Sequence, residues 1–532
     1  MATTIERPSA APVVSVPDQF NVADYLVDRH LREGRGSRTA ILCGDESVTY
    51  GEVAERSNRV ANGLRSLGVR REERVLLLLL DTPAFAYSFF GAQKIGAVPI
   101  PTNTLLKSQD YHYMLNDSRA TVAIVSEPML AQLATIPRHE LPYLQHLVID
   151  GGRTADAVGF DQLLAADPTL ELEPTGKDDA AFWLYSSGTT GFPKGAVHLH
   201  HDIVHTVVCY AQGVLGMTAA DRTFSVAKLF FAYGLGNALT FPFAVGATTI
   251  LWPGPPTPPN VYAQIERHKP TLFFSVPTNY GQLLAHKQQG SDFDLSSVRQ
   301  AVSAGEALPK ALYERFKDRF GAEILDGIGS TEILHIFISN RSGRVRPGSA
   351  GELVPGYEAR IVDEAGQDAP DGTVGNLLIK GDSTCAYYWN KHQRTKDTIE
   401  GHWIRTGDKF SRDADGYYWY AGRADDMLKV GGIWVSPVEI ENTLVEHPAV
   451  QEAGVIGRRD ADDLEKPVAY VVLAAGHHGS PELARELQDF VCSKIAEYKR
   501  PRWIEFVEAL PKTATGKTQR FKLRQSAASD AV

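Results

Sequence analysis

The chain has 532 residues, 43% of them hydrophobic and 22% charged, and carries 54 Lys and Arg against 64 Asp and Glu for a net charge of −10. At about 100 to 200 residues per domain this is a globular chain of several folding units, which excludes wholesale disorder. The negative balance excludes a nonspecific nucleic-acid binder, because a phosphate backbone rewards basic surface. The longest apolar runs, Val75 to Leu80 and Val468 to Ala475, fall far short of the ~20 residues a membrane helix needs, so no membrane partner is expected.

In chain order, residues 1–18, with Pro8, Pro12 and Pro17, lack the basic start and apolar core of a secretion signal and read as a flexible N-terminus. Cys43, Cys209, Cys385 and Cys492 are scattered without metal-like spacing, and a reducing cytoplasm is the expected home. Strand candidates Thr39 to Leu42, Val75 to Leu80, Thr121 to Val125, Leu147 to Ile149, Phe182 to Tyr185 and Thr271 to Val276 alternate with helical stretches. That alternation predicts largely parallel sheets covered by helices. After about residue 350 the strands Glu352 to Val354, Ala359 to Val362, Val374 to Ile379 and Tyr417 to Tyr420 are separated by Gly, Asp and Pro turns, predicting a β-rich subdomain over about 350–421. Beyond Gly422 the order is helix (Ser436 to Glu446), strand (Val450 to Ile456), strand (Val468 to Leu473), helix (Pro481 to Ala496) and strand (Trp503 to Phe506). The expected fold class is therefore α/β, with a large N-terminal domain over 19–424 and a small α+β domain over 425–532.

The strongest local signal is Tyr185-Ser186-Ser187-Gly188-Thr189-Thr190-Gly191-Phe192-Pro193-Lys194-Gly195, which follows an apolar strand and precedes a helical pattern beginning near His198. Glycines allow close approach to an anion, hydroxyls and amides donate to phosphate oxygens, and Lys194 adds a point charge. The segment reads as a phosphate cradle, although it lacks Walker A spacing. Pro511-Lys-Thr-Ala-Thr-Gly516-Lys517-Thr518 matches Walker A except for its first residue, yet leaves no room for a P-loop domain. A Lys on such a turn can still be delivered to a substrate by domain motion. It sits in a basic cluster (Lys494, Lys499, Arg500, Arg502, Lys512, Lys517, Arg520, Lys522, Arg524) opposed in sequence only by Glu497, Glu505 and Glu508. Such a cluster reads as a solvated face or a polyanion patch.

Together these segments resemble the adenylate-forming superfamily of acyl-CoA synthetases, nonribosomal peptide adenylation domains and luciferases. Residues 185–195 resemble its phosphate loop, Gly327-Ile-Gly329-Ser-Thr331-Glu332 its Thr-Glu motif, Trp403-Ile-Arg-Thr-Gly-Asp408 its ribose motif, Gly422-Arg423-Ala-Asp425 its hinge, and Pro511 to Lys517 its C-terminal lysine motif. The resemblance implies an ATP/AMP site of Ser186, Ser187, Gly188, Thr189, Thr190, Gly191, Lys194, Thr331, Asp408 and Arg423, with Ala304, Gly305, Glu306, Asp326 and Gly327 lining adenine. It implies Mg2+ on Glu332, a hard oxygen ligand, and catalytic roles for Lys517, Thr331 and Glu332. CoA would pass Lys429, Gly431 and Gly432 after the small domain turns about Asp425. Taken singly, Glu332 reads equally as a helix cap, Asp408 as a turn residue and Gly431-Gly432 as a hairpin turn.

In this superfamily a carboxylate attacks the ATP α-phosphorus and expels pyrophosphate, and a thiol then attacks the acyl adenylate. The implied acid pocket comprises Ala232, Tyr233, Gly234, Gly327, Gly329, Ile333 and His335. Lys228 to Gly234 and Ile333 to Ile336 resemble the corresponding stretches of benzoate-CoA ligases and their 2-aminobenzoate and 4-hydroxybenzoate relatives. An aromatic acid is thus the expected small-molecule partner, with ATP, Mg2+ and CoA as co-substrates and cofactor. A free-standing adenylation domain loading a carrier protein shares the first half-reaction and stays open. A hydrolase does not, because no Gly-x-Ser-x-Gly elbow occurs. The cluster His198, His200, His201 and His205 lacks zinc-site spacing; His200 or His201 would flank the nucleotide and acid. A homodimer is the commonest default for soluble chains.

Overall fold

The structure, a computed structural model, describes residues 12–154, 156–188, 191–286, 293–424, 426–430, 433–460, 464–512 and 518–529. Its largest sheet has nine strands in the order Glu352–Leu353, Ile336–Ser339, Ile324–Gly329, Gln300–Ser303, Leu272–Ser275, Arg222–Ser225, Thr248–Leu251, Thr39–Cys43, Glu46–Thr49. The six central strands are parallel and the outer pairings antiparallel. The apolar runs of these strands follow from burial on both faces: Leu272 and Phe274 pack into one core while Phe273 packs into another. A second, all-parallel sheet joins Val98–Pro101, Arg74–Leu78, Val122–Ser126, His146–Asp150 and Val158–Gly159. There Val75 and Leu77 face the same core as the first sheet, and Leu76 and Leu78 the opposite side.

A third sheet of three strands packs on the second and carries the cradle. Ala180–Gly188 and Gly191–Leu199 form an antiparallel hairpin, and Tyr387–Tyr388 adds to its edge. The helix expected near His198 is His200–Thr206, and the feature not anticipated is that residues Gly191–Leu199 before it are a strand. The reason is tertiary. Trp183 and Val197 pack on Ile100 of the second sheet, which requires the return strand to lie flat beside the first.

Past residue 350 the expected β-rich region is an antiparallel sheet of Glu358–Val362, Gly375–Lys380, Trp403–Arg412 and Ile399–Glu400, with Tyr418–Arg423 pairing Trp403–Arg412. The C-terminal strands Val450–Arg459, Glu465–Leu473 and Trp503–Phe506 pack on helices Pro437–Val445 and Pro481–Lys494. They share a separate core that includes Val455, Val471, Ile440, Leu444 and Leu487.

The C-terminal basic cluster is largely paired. Lys499 binds Glu439, Arg520 binds Glu441 and Asp426, Lys512 binds Glu452, Arg500 binds Asp489, Lys494 lies 3.4 Å from Glu446, and Arg524 binds Asp426. The fold brings most of these acids from elsewhere in the chain, so these six basic residues are neutralised rather than gathered into a polyanion patch. Among the described residues, no helix is long and apolar enough to cross a membrane.

Candidate active site

The cradle hairpin is clamped from two directions. Tyr185 Oη donates to Asp117 Oδ2 at 2.8 Å and Tyr113 Oη to the Pro193 carbonyl at 3.1 Å, both partners lying on helix Ser108–Ser118. On the other edge the Trp389 amide donates to the Gly195 carbonyl at 2.8 Å and Tyr388 pairs with Ala196. Ser186 and Lys194 stand opposite each other in the register, which sends a hydroxyl and an ammonium toward the same end of the sheet.

Glu332 meets them there. It sits in the short 3-10 turn Thr331–Ile333, directly beyond strand Ile324–Gly329 of the largest sheet. Its Oε1 accepts from Ser186 Oγ at 3.0 Å and from Tyr388 Oη at 2.8 Å, with Lys194 Nζ at 3.9 Å. The Cys385 amide donates to its carbonyl at 2.7 Å. Burial alone would raise this carboxyl, but the Lys194 charge and the bonds from Tyr388, its own backbone and Ser186 outweigh it and hold it below the usual range. Lys194 is pulled down by burial against the support of Glu332, with Arg394 and Arg423 near enough to add repulsion. Its Nζ donates to Tyr388 Oη at 3.3 Å and lies 4.4 Å from that ring's centre.

Two residues of this cluster were not singled out from the sequence for it. One is Tyr388. The other is His198, whose Nε2 lies 2.8 Å from the Thr331 carbonyl, whose Nδ1 lies 2.7 Å from Asp202 Oδ2, and whose ring stacks on Phe182. His200 instead accepts the Val22 amide at 3.1 Å, and His201 faces the Lys177 carbonyl. Thus it is His198 that supports the Thr-Glu turn. Only the register of the return strand reveals it, by placing His198 opposite Phe182.

The predicted adenine segments leave the ends of neighbouring parallel strands: Ser303 pairs with Asp326, so Ala304, Gly305 and Gly327 follow at one edge, where ligands of parallel sheets collect. Gly305 has φ +93°, open to glycine. Glu306 accepts from Thr278 Oγ1 at 3.1 Å. The Asp326 side chain turns inward, where Oδ2 accepts the Leu308 amide at 3.3 Å. Burial pushes its carboxyl from 3.8 up to about 8. Because the folded value is raised, the favourable contribution is complete below the unfolded pKa and is lost as pH rises toward the folded one. Asp326→Asn should therefore gain Tm relative to the parent between about pH 4 and 8, by at least about 2 °C at the upper end. A constant difference across that window in thermal melts would exclude a buried neutral acid.

Asp408 and Arg423 are cross-strand partners. Arg423 Nη1 donates to Asp408 Oδ1 at 3.2 Å and to the Thr406 carbonyl at 3.1 Å. A Cβ on Gly407 would lie 2.7 Å from Arg423 Nη2, so a larger residue would push the guanidinium away.

The predicted acid segment is anchored at its start. Asp81 Oδ1 accepts the Leu229 amide at 3.2 Å and Lys228 Nζ donates to the Gly254 carbonyl at 2.9 Å. Tyr233 Oη then reaches the carbonyls of Ser275 and Val302 at 3.3 and 3.2 Å, the ends of two central strands. A Cβ on Gly234 would sit 2.1 Å from the Lys228 carbonyl, and one on Gly329 2.7 Å from that of His335. Ala232 and Ile333 are buried. His335 lies among Tyr210, Tyr233 and Phe241. Its Nε2 is 3.1 Å from Asn237 Oδ1 and 3.3 Å from the Tyr233 carbonyl, two acceptors, so Nε2 carries the proton. Burial takes its pKa down to about 3, leaving a neutral ring whose buried Nδ1 has no hydrogen-bond partner among the described residues.

Thr189, Thr190, Asp425, Gly431, Gly432 and Lys517 lie outside the described residues, as do the side chains of Ser187 and Lys429. The described backbone of Gly188 and Gly191 closes the paired part of the hairpin. Among the described residues no group of three or more His, Cys, Asp and Glu is placed to hold a metal. One carboxylate beside a phosphate cradle fits Mg2+, which is held mainly by substrate phosphates and water.

The AMP-binding enzyme family pattern matches residues 28–389, and that of the AMP-binding enzyme C-terminal domain residues 439–517. The chain is 48% identical over 98% of its length to a benzoate–CoA ligase of Thauera aromatica, covering 99% of that protein. It is 42% identical over 95% of its length to a 4-hydroxybenzoate–CoA/benzoate–CoA ligase of Rhodopseudomonas palustris, covering 94% of that one. Among solved structures, the anthranilate CoA ligase AuaEII in complex with anthranoyl-AMP superposes with a TM-score of 0.93 at 48% identity, over 97% of this chain and 99% of that one. A benzoate CoA ligase from Burkholderia xenovorans LB400 gives 0.87 at 48% identity, over 95% and 100%. With Ser186, Lys194 and Glu332 gathered at one sheet end and both patterns matching in order, the chain belongs to the AMP-binding enzyme family.

Proposed function

We propose that the chain is an AMP-forming ligase that joins benzoate to CoA. The benzoate oxygen attacks the α-phosphorus of ATP, pyrophosphate leaves, and the CoA thiol then displaces AMP from benzoyl-AMP. The observation that carries this reading is the convergence of Ser186, Lys194 and Glu332 from segments 146 residues apart. Nearby, an enclosed segment of Ala232, Tyr233 and His335 is suited to a flat apolar ring. Ser186 and Lys194 would hold phosphate oxygens. Glu332 would hold Mg2+, which offsets phosphate charge when bound. Asp408 offers acceptors for the ribose hydroxyls, with Arg423 fixing its orientation.

Pyrophosphate and AMP formation with benzoate, with and without CoA, tests the proposal. With CoA, AMP, pyrophosphate and thioester in equal amounts are expected; without CoA, pyrophosphate is expected with the AMP retained in benzoyl-AMP. ADP and phosphate, or no turnover with any organic acid, would overturn it. A second reading, 2-aminobenzoate, is favoured by the AuaEII superposition and by His335 Nδ1, an acceptor that an amino substituent can satisfy. A kcat/KM panel of benzoate, 2-aminobenzoate and 4-hydroxybenzoate separates the two.

The reading includes a turn of residues 425–532 about Asp425 between the half-reactions. Its support is the separate core of that region together with the hinge resemblance. Asp425→Pro fixes φ at a position that must rotate. Thioester formation should slow at least several-fold more than pyrophosphate release in single-turnover assays, and unimpaired overall turnover would remove the hinge.

A further inference from the structure

Tyr388 touches three parts of the site and belongs to none of the motifs that identified it. It is 2% exposed and lies on the short strand Tyr387–Tyr388, which adds to the edge of the cradle hairpin. Its amide donates to Thr395 Oγ1 at 3.0 Å, which ties the strand to the helix that follows. Its hydroxyl is set between two site residues: it donates to Glu332 Oε1 at 2.8 Å and accepts from Lys194 Nζ at 3.3 Å. A phenol has one proton to give, and here it goes to the carboxylate.

The geometry around Glu332 is lopsided. Ser186 Oγ and Tyr388 Oη both donate to Oε1, while Oε2 receives no side-chain hydrogen bond among the described residues. A carboxylate free to rotate would present either oxygen. Two donors fixed on one oxygen prevent that and aim the other in a set direction. Groups that orient a ligating carboxylate in this way typically govern metal affinity by 10- to 100-fold.

We propose that Tyr388 is a positioning residue for the metal of the nucleotide: by donating to Oε1 of Glu332 it reserves Oε2 for Mg2+. The inference rests on the reading of Glu332 as the metal-binding carboxylate. Ser186, on the first strand of the hairpin, holds the same oxygen from the opposite side.

The test compares wild type, Tyr388→Phe, Glu332→Gln and the double variant. ATP affinity is measured by titration calorimetry in EDTA and in Mg2+, and the Mg2+ concentration giving half-maximal pyrophosphate release is measured alongside. Tyr388→Phe should bind ATP in EDTA within about two-fold of wild type. It should require ~10-fold more Mg2+, with kcat recovering at saturating metal. In the Glu332→Gln background the same substitution should add little, because the two act through one contact. An unchanged Mg2+ requirement in Tyr388→Phe beside a raised one in Glu332→Gln overturns the role of Tyr388 alone. An unchanged requirement in Glu332→Gln overturns the metal reading on which it rests. Equal loss of ATP affinity in EDTA and in Mg2+ would show that Tyr388 supports the phosphate hairpin instead. Thr395→Val serves as the control for a loosened strand, with lower Tm and unaltered Mg2+ dependence. If Tyr388→Phe does not fold, Tyr388→Met, also without a donor, is read by the same criteria.

Discussion

Lys517→Ala should lower benzoate-dependent pyrophosphate release by at least ~10²-fold, the scale of removing one preorganised donor, while CoA thiolysis of supplied benzoyl-AMP proceeds near the wild-type rate. The asymmetry follows from where charge develops. In the first half-reaction two anions, the benzoate carboxylate and the triphosphate, must approach each other. An ammonium placed between them offsets their repulsion only if it is delivered to that point. In the second half-reaction the nucleophile is a thiol and AMP departs, so a lysine carried on a segment proposed to turn about Asp425 would no longer be required. Single-turnover measurement of each half-reaction separates the two effects. A parallel loss in both would mean that Lys517 supports the fold or the nucleotide pocket in general.

Glu332→Gln should cost at least about 10²-fold in pyrophosphate release at low Mg2+, since loss of a direct ligand should exceed the 10- to 100-fold typical of its supporting contacts. The amide keeps the shape and can still accept from Ser186 and Tyr388 at Oε1. What disappears is the negative charge, which leaves Lys194, 3.9 Å away and already lowered by burial, without its compensating partner. The expected signature is a Mg2+ activation curve displaced to higher concentration, with ATP binding in EDTA retained. An activation curve superposable on wild type would exclude Glu332 as the metal-binding carboxylate.

Much of the layered architecture was legible in the chain because a strand buried on both faces must be apolar throughout. The runs at 75–80, 121–125 and 271–276 predicted strands that the structure places at Arg74–Leu78, Val122–Ser126 and Leu272–Ser275. The C-terminal order of helix, strand, strand, helix, strand was legible for the same reason. The return strand Gly191–Leu199 was not. Its residues Pro193, Lys194 and Gly195 carry no strand propensity, and it is held flat by Ile100 and by the Tyr387–Tyr388 strand, nearly 200 residues further on.

The order of residues along the chain supplies the chemical groups: two serines, two threonines and a lysine on a glycine-rich turn, a Thr-Glu pair, an Asp in a Thr-Gly-Asp turn and a lysine near the C-terminus, in the succession that marks the family. Which of them meet, and what restrains them, comes from packing. It put Tyr388 beside Ser186 on Glu332, and His198 behind Thr331. It also paired Lys499, Arg520 and Lys512 of the C-terminal basic cluster with Glu439, Glu441 and Glu452. The physical reason is one of range. Apolar periodicity and turn chemistry act between near neighbours in the chain, whereas a hydrogen bond or ion pair is made by whatever the packed sheets bring within about 3 Å.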